Sequence, residues 1–385
     1  MRRIIICLDG TWASPDNLVE RGDGSEVHKP SNILKTYRAV MPRSEDRIDQ
    51  ISYYDEGVGA LSAQRGLRNK ALAKLDSLLG GAWGAGFEQN IESAYSFIVG
   101  NKLPDDEIFV FGFSRGAGQA RSLCRFIDWM GGTLQKPDAY FIPDFFKHYI
   151  ETEAAEGAAQ QFMDQLIATG KKIAPPNPTR VRFLGVYDTV LALGSRLRAD
   201  FDNDKRTTAP GLSFHVGEKP PKIVSVARQA LAIDERRTDF RPEIWRGAHP
   251  DQSVEQRWFP GVHTSIGGGY ANDGLANGAL RWMIEAAEQE GLAVDKKFLS
   301  FYRPWFGDER NESYTGFMKL RGWISSLKGE SGDRDLLASA SFAGLDVHET
   351  ALKLLAHDDS YRPKNLLALI RSRPDLVSQL PTGIV

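Results

Sequence analysis

An apolar strand that runs directly into Gly112-Phe113-Ser114-Arg115-Gly116 and then into a helix constrains this 385-residue chain more than any other feature. Ile108 to Gly112 is an unbroken apolar run of the kind found in strands covered on both faces. Arg115 to Met130 carries apolar residues at helical spacing. The serine between them must sit in a strained turn that holds its hydroxyl clear of the backbone. Side chains at the flanking positions 112 and 116 would collide across that turn. Gly118 and Ala120 continue the run of small residues and let the helix lie close to the sheet. The pentapeptide recurs by chance in many chains; the strand before it and the helix after it mark Ser114 as a nucleophile.

Other buried strands are read at Ile4–Leu8, stopped by Asp9-Gly10, at Ile48–Tyr54, and at Val181–Tyr187, stopped by Asp188. A short strand is expected near Gln256–Phe259. Phe87, Ile91, Ala94, Tyr95 and Ile98 share one helical face. Ile223–Ile233 reads as an apolar-faced helix, and Leu275–Gln289 as another. Residues 61–86 and 131–179 look like helical insertions, and residues 290–385 read as mainly helical. Strands alternating with helices imply a mostly parallel sheet with helices on both faces. The expectation is a single α/β-hydrolase-like domain over residues 1–385, with the two insertions as helical caps.

Function classes are narrowed by charge and cysteine usage. A formal net charge of −2 supplies no basic field for a phosphate backbone, which disfavours nucleic acid as the main partner, and none is expected. Cys7 and Cys124 form no metal or disulfide pattern, and no cofactor or metal is expected. The apolar run after Met1-Arg2-Arg3 ends at Asp9, too short for a signal peptide or a membrane span. The expected location is the cytoplasm of the producing cell, or export by a route without a cleaved signal. Transient membrane contact through local apolar patches needs no net charge.

A serine hydroxyl needs a base, and neutral imidazole suits pH 7. Seven histidines compete. Only His263 follows an expected strand and sits beside a glycine-rich loop, Gly267-Gly268-Gly269, where an α/β sheet presents its catalytic groups. The acid should end a strand between the serine and the histidine in chain order, which Asp188 does; Asp9 and Asp273 are its rivals. For the oxyanion, the Arg115 N–H is one donor, with Gly10 and Thr11 on the loop after the first strand as the others. The competing role for Asp9 is to cap its own loop. The stretch from Tyr140 to Ile150 is strongly aromatic. It suggests a cap in which Phe145 and Phe146 form an acyl-binding wall, against the alternative that these rings pack the insertion onto the core.

With these segments in place the chain resembles the catalytic-domain family of type VI secretion phospholipase effectors. The matching pieces are Leu8-Asp9-Gly10-Thr11-Trp12, Tyr54-Asp55-Glu56-Gly57-Val58-Gly59, Gly112-Phe113-Ser114-Arg115-Gly116-Ala117 and Gly185-Val186-Tyr187-Asp188-Thr189-Val190. They continue with Ala230-Leu231-Ala232-Ile233-Asp234-Glu235-Arg236-Arg237 and Trp258-Phe259-Pro260-Gly261-Val262-His263. The resemblance implies a triad at Ser114, Asp188 and His263, an ester or phospholipid substrate, and a secretion-apparatus or immunity partner where such a chain acts as an effector. The charge run Asp234–Arg237 is expected to be a surface ion-pair network. Two other readings stand beside this one. A non-catalytic binding module could keep the same fold. A phosphatase could use the Asp9-Gly10-Thr11 loop, although Cys7 then stands where a nucleophilic aspartate belongs.

Overall fold

The computed structural model describes residues 1–10, 18–20, 26–57, 83–191, 213–237, 240–310 and 332–381. Seven strands form one sheet: β1 (Arg3–Leu8), β4 (Gln50–Asp55), β5 (Glu107–Phe113), β6 (Val181–Tyr187), β7 (Val224–Ala232), β8 (Ser253–Phe259) and β9 (Leu345–Val347). Their order is β4-β1-β5-β6-β7-β8-β9, and every neighbouring pair is parallel. A separate antiparallel pair, β2 (Leu18–Glu20) and β3 (Glu26–His28), lies outside this sheet.

Strand periodicity divides the apolar residues between two cores. Ile4, Ile6 and Leu8 join one cluster with Ile108 and Val110; Ile5 and Cys7 join the other with Phe109, Phe111 and Phe113. The first core is roofed by α2 (Trp83–Asn101), through Phe87, Ile91, Tyr95 and Ile98, and by α3 (Arg115–Trp129). The second is roofed by α1 (Asn32–Ala39) and α8 (Gly274–Gln289), whose Leu280, Met283 and Ile284 face the sheet. Helices therefore cover both faces, as expected for an α/β fold. A third cluster joins Leu231, Trp258 and Val347 to α10 (Glu349–His357), α11 (Lys364–Arg371) and α12 (Pro374–Val377).

One expectation needs correction. Residues 224–232 form a strand, not a helix: β7 lies between β6 and β8 and all nine of its residues are buried. With both faces covered, alternation disappears, and Arg228 and Gln229 mimic a helix's polar face. Arg228 bonds Ser253 and pairs with Glu255, and Gln229 bonds Thr189, Glu243 and Gln256. Residues 290–385, expected to be mainly helical, supply edge strand β9 as well as four short helices among the described residues. Insertion 61–86 lies outside the described residues up to position 82. No helix among the described residues is long and apolar enough to cross a membrane.

Candidate active site

Three strands deliver the site at their carboxyl ends. Ser114 follows β5 and precedes α3 with φ 57° and ψ −121°, a left-handed conformation that a non-glycine residue adopts only when its surroundings force it. The forcing comes from close backbone approach. A Cβ on Gly112 would strike the backbone of Gly116 and Ala117, and one on Gly116 would strike the carbonyls of Leu8 and Asp9. The glycines of the pentapeptide are thus required by contact across the turn and with the end of β1. Asp188, directly after β6, also has positive φ, at 43°. Its N–H is held by the Ala230 carbonyl at 2.7 Å.

His263 opens α7 (His263–Gly267), just beyond β8. Its Nε2 lies 2.8 Å from the Ser114 hydroxyl, and its Nδ1 lies 2.6 Å from Asp188 Oδ2. The Phe113 and Phe240 rings flank the imidazole at centroid distances of 4.8 and 4.9 Å. Ser114, His263 and Asp188 are 5%, 4% and 0% exposed, so the hydrogen-bonded line runs in a nearly dry interior. In such surroundings, electrostatic contacts are stronger than in water. This arrangement can pass a proton from the serine to the imidazole and stabilise the resulting imidazolium with the carboxylate.

The loop before His263 is held by the charge run read as surface. Asp234 Oδ2 accepts the Gly261 N–H at 2.6 Å, and Glu235 Oε2 accepts the His263 N–H at 3.3 Å. Glu235 is buried and paired with Arg237, whereas Arg236 forms an outward pair with Asp333. The surface expectation therefore holds for Arg236 and fails for Asp234 and Glu235. Burial pushes the Asp234 carboxyl up to about 6, against hydrogen bonds from Gly261 and Tyr361 that lower it. On the other side, Asn32 of α1 donates to the carbonyls of Ile266 and Ala276, tying α7 to α8.

Asp188 carries a partner that sequence reasoning missed. Arg334 donates through Nη1 to Oδ1 at 2.6 Å and through Nη2 to Oδ2 at 2.8 Å. Burial favours the neutral acid, yet Arg334 and His263 hold the Asp188 carboxyl well below the usual carboxylate range. No motif surrounds Arg334, and 146 positions separate it from its partner.

The rival acids are engaged elsewhere. Asp273 is the residue before α8 and pairs with Lys35. Asp9 accepts from Gly10 N–H at 2.7 Å, Ser31 hydroxyl at 2.5 Å and Tyr54 hydroxyl at 2.7 Å. Burial drives its carboxyl up to about 6 in spite of those three bonds. Asp9 therefore caps its own loop, and this corrects the donor role expected of Gly10, whose N–H points into that cap. Gly10 does abut the nucleophile: a Cβ there would lie 3.4 Å from the Ser114 Cβ. Thr11 lies outside the described residues. Cys7, where a phosphatase of the competing type needs its aspartate, is fully buried with its thiol pushed up by burial.

Phe145 and Phe146 do not line the site. Both belong to α4 (Ile142–Glu151), are buried, and pack in the first core, Phe145 edge-on to Phe162 of α5 (Ala158–Ala168) and Phe146 edge-on to Phe126 of α3. Phe126 stands twelve residues beyond Ser114 on the same helix, about 18 Å away at 1.5 Å per residue. The insertion thus packs beside the far end of the nucleophile's helix, and the acyl-wall expectation is withdrawn in favour of core packing.

Residues 2–286 match the family described as "T6SS, Phospholipase effector Tle1-like, catalytic domain". A Saccharomyces cerevisiae protein described as "Uncharacterized protein YEL023C" is 27% identical over 245 residues, covering 62% of this chain and 32% of that protein. An uncharacterized protein from Pseudomonas aeruginosa of known structure aligns with a TM-score of 0.42 at 15% identity, over 99% of this chain and 60% of its own. The Tle1 effector, solved bound to the VgrG spike from the type 6 secretion system, aligns with a TM-score of 0.36 at 19% identity, over 70% of this chain and 51% of its own. The chain spans less than two thirds of the length of each of these proteins. Matched over most of its own length, it belongs to the family of Tle1-like phospholipase effector catalytic domains.

Proposed function

We propose that this chain is a serine hydrolase of carboxylic esters, of the lipase or phospholipase kind. The observation that carries the reading is the hydrogen-bonded line from Ser114 through His263 to Asp188. Ser114 Oγ attacks the ester carbonyl carbon while its proton passes to His263 Nε2. The tetrahedral oxyanion is stabilised by the Arg115 N–H at the positive end of α3. Collapse breaks the bond to the alcohol, which leaves with the proton from His263. Water then repeats the sequence on the acyl-Ser114 ester and releases the carboxylic acid.

The lipid nature of the substrate follows the family rather than the local geometry. So do contact with a membrane surface and engagement of a secretion apparatus or an immunity partner. Export without a cleaved signal belongs to the same proposal. Hydrolysis of p-nitrophenyl butyrate and release of fatty acid from phosphatidylcholine vesicles test it together. Wild type should turn over both, and Ser114→Ala and His263→Ala should abolish both with the fold intact. Turnover of the soluble ester alone would leave an esterase and remove the phospholipase. Unchanged turnover in Ser114→Ala would remove the serine mechanism.

A further inference from the structure

A carboxylate buried as deeply as Asp188 keeps its charge only if something compensates it, because burial favours the neutral acid. His263 supplies one hydrogen bond to it. The Ala232 N–H supplies another, and among the described residues the one opposite charge in contact with it comes from a segment beyond the family match, which ends at residue 286. Arg334 is 6% exposed, and both of its terminal nitrogens meet the carboxylate in a two-pronged pair. The same two nitrogens also donate to the carbonyls of Ala232 and Phe240 at 2.8 and 2.7 Å. The Arg334 carbonyl in turn accepts from Asn365 of α11 at 3.2 Å. The guanidinium is thus anchored to β7 and to the chain beside His263, and the Arg334 backbone to the C-terminal helices.

The Asp188 oxygens are fully subscribed. Oδ1 accepts from Arg334 and from the Ala232 N–H, and Oδ2 accepts from Arg334 and faces His263 Nδ1. That leaves one orientation for the carboxylate, with Oδ2 aimed at the imidazole. We propose that Arg334 is a positioning residue of the hydrolytic site, fixing Asp188 as an anion aimed at His263, so that residues beyond the family match complete the active site. This rests on the serine-hydrolase reading above. The other charged groups around the pair are Glu235 with its partner Arg237, and Asp234 with Arg310; both acidic groups feel the Arg334 charge. Removing Arg334 leaves Asp188 to protonate itself or to draw a proton onto the imidazole. Either change empties the reactive state, a neutral imidazole backed by a carboxylate, and higher pH is needed to restore it.

The test uses the full chain as wild type, Arg334→Met and Arg334→Lys. The readouts are the rate of Ser114 modification by a fluorophosphonate from pH 5 to 9, the low-field proton resonance of the His263–Asp188 hydrogen bond, and the melting temperature. Arg334→Met should react about 10²-fold more slowly at pH 7, less than the roughly 10⁴-fold cost of losing the carboxylate itself. Its acid limb should move to higher pH by about one pH unit or more, and the low-field resonance should shift or vanish. Arg334→Lys keeps the charge but loses the fork. It should keep the acid limb near its wild-type position while reacting about 10-fold more slowly. A folded Arg334→Met with wild-type rate, limb and resonance overturns the proposal. If that variant does not fold, Arg334→Lys decides: wild-type rate and resonance overturn the proposal, and a slower rate with a shifted resonance upholds it. A wild type that never labels at Ser114 removes the hydrolase reading instead, and the resonance still decides what Arg334 does.

Discussion

The two ends of α3 differ in what surrounds them, and the proposed reactive site lies at only one of them. At its first turn the chain is strained, glycine-lined and pressed against the end of β1, and Ser114 meets His263 there. At its last turn Phe126 stacks on Trp129, and both meet Phe146 or Tyr149 edge-on in an aromatic wall. The aromatic end is richer in the side chains that commonly bind apolar ligands. The constrained end is where a proton can be moved. Close backbone approach and positive φ accompany the proposed site, and ring density accompanies packing.

Substitutions at the two ends should therefore fail in opposite ways. At the reactive end, Ser114→Ala should reduce kcat by about 10⁶-fold and Asp188→Asn by about 10⁴-fold, as triad losses do elsewhere. Their melting temperatures should drop far less than their rates, which parallel kinetics and calorimetry would check. At the packing end, Phe145→Ala should cost about 3–5 kcal/mol of stability through the cavity it opens. The kcat/KM per folded molecule should stay at the wild-type value. A Phe145→Ala enzyme that keeps its stability but loses preference for longer acyl chains would erase the contrast and restore an acyl wall.

A smaller effect separates Asp9 from Asp188. The Asp9 carboxyl is held up at about 6 in the folded chain, above its ordinary value of 3.8. Between those values the folded state binds the extra proton, so Asp9 makes stability fall as pH rises through that window. The slope is at most about 1.4 kcal/mol per pH unit. Asp188, depressed by Arg334, acts with the opposite sign: its contribution is present above the unfolded value and lost as pH falls. Asp9→Asn should flatten the stability profile between about pH 4 and 6 and reduce turnover much less than Asp188→Asn. Urea unfolding at several pH values, with rates measured alongside, separates the two carboxylates. Equal losses of rate in the two variants would give Asp9 a catalytic share.

How much of this the sequence carried depends on how local each signal is. That Ser114, Asp188 and His263 meet is legible because strand, turn and helix are contiguous around Ser114 and the other two each follow a strand. Strand β7 reads as a helix because a central strand buries both faces, and the buried Arg228 and Gln229 interrupt its apolar run as a helix's polar face would. The roles of Asp234 and Glu235 were hidden because a charge run looks solvated until its partners, here the Gly261 and His263 backbone N–H groups, are known. Arg334 leaves no local signal. Its meaning exists only in the contact that α10 and α11 create by packing on β7–β9.

The claim that joins these observations is a covalent one: the acyl group passes through Ser114. Rapid mixing of wild type with p-nitrophenyl acetate, followed by acid quench and peptide mass spectrometry, tests it most directly. A nitrophenol burst equal to the enzyme concentration and an acetyl group on the peptide bearing Ser114 are expected, both absent in Ser114→Ala. Steady turnover with no burst and no acetyl adduct, or an adduct on another residue that persists in Ser114→Ala, would contradict it.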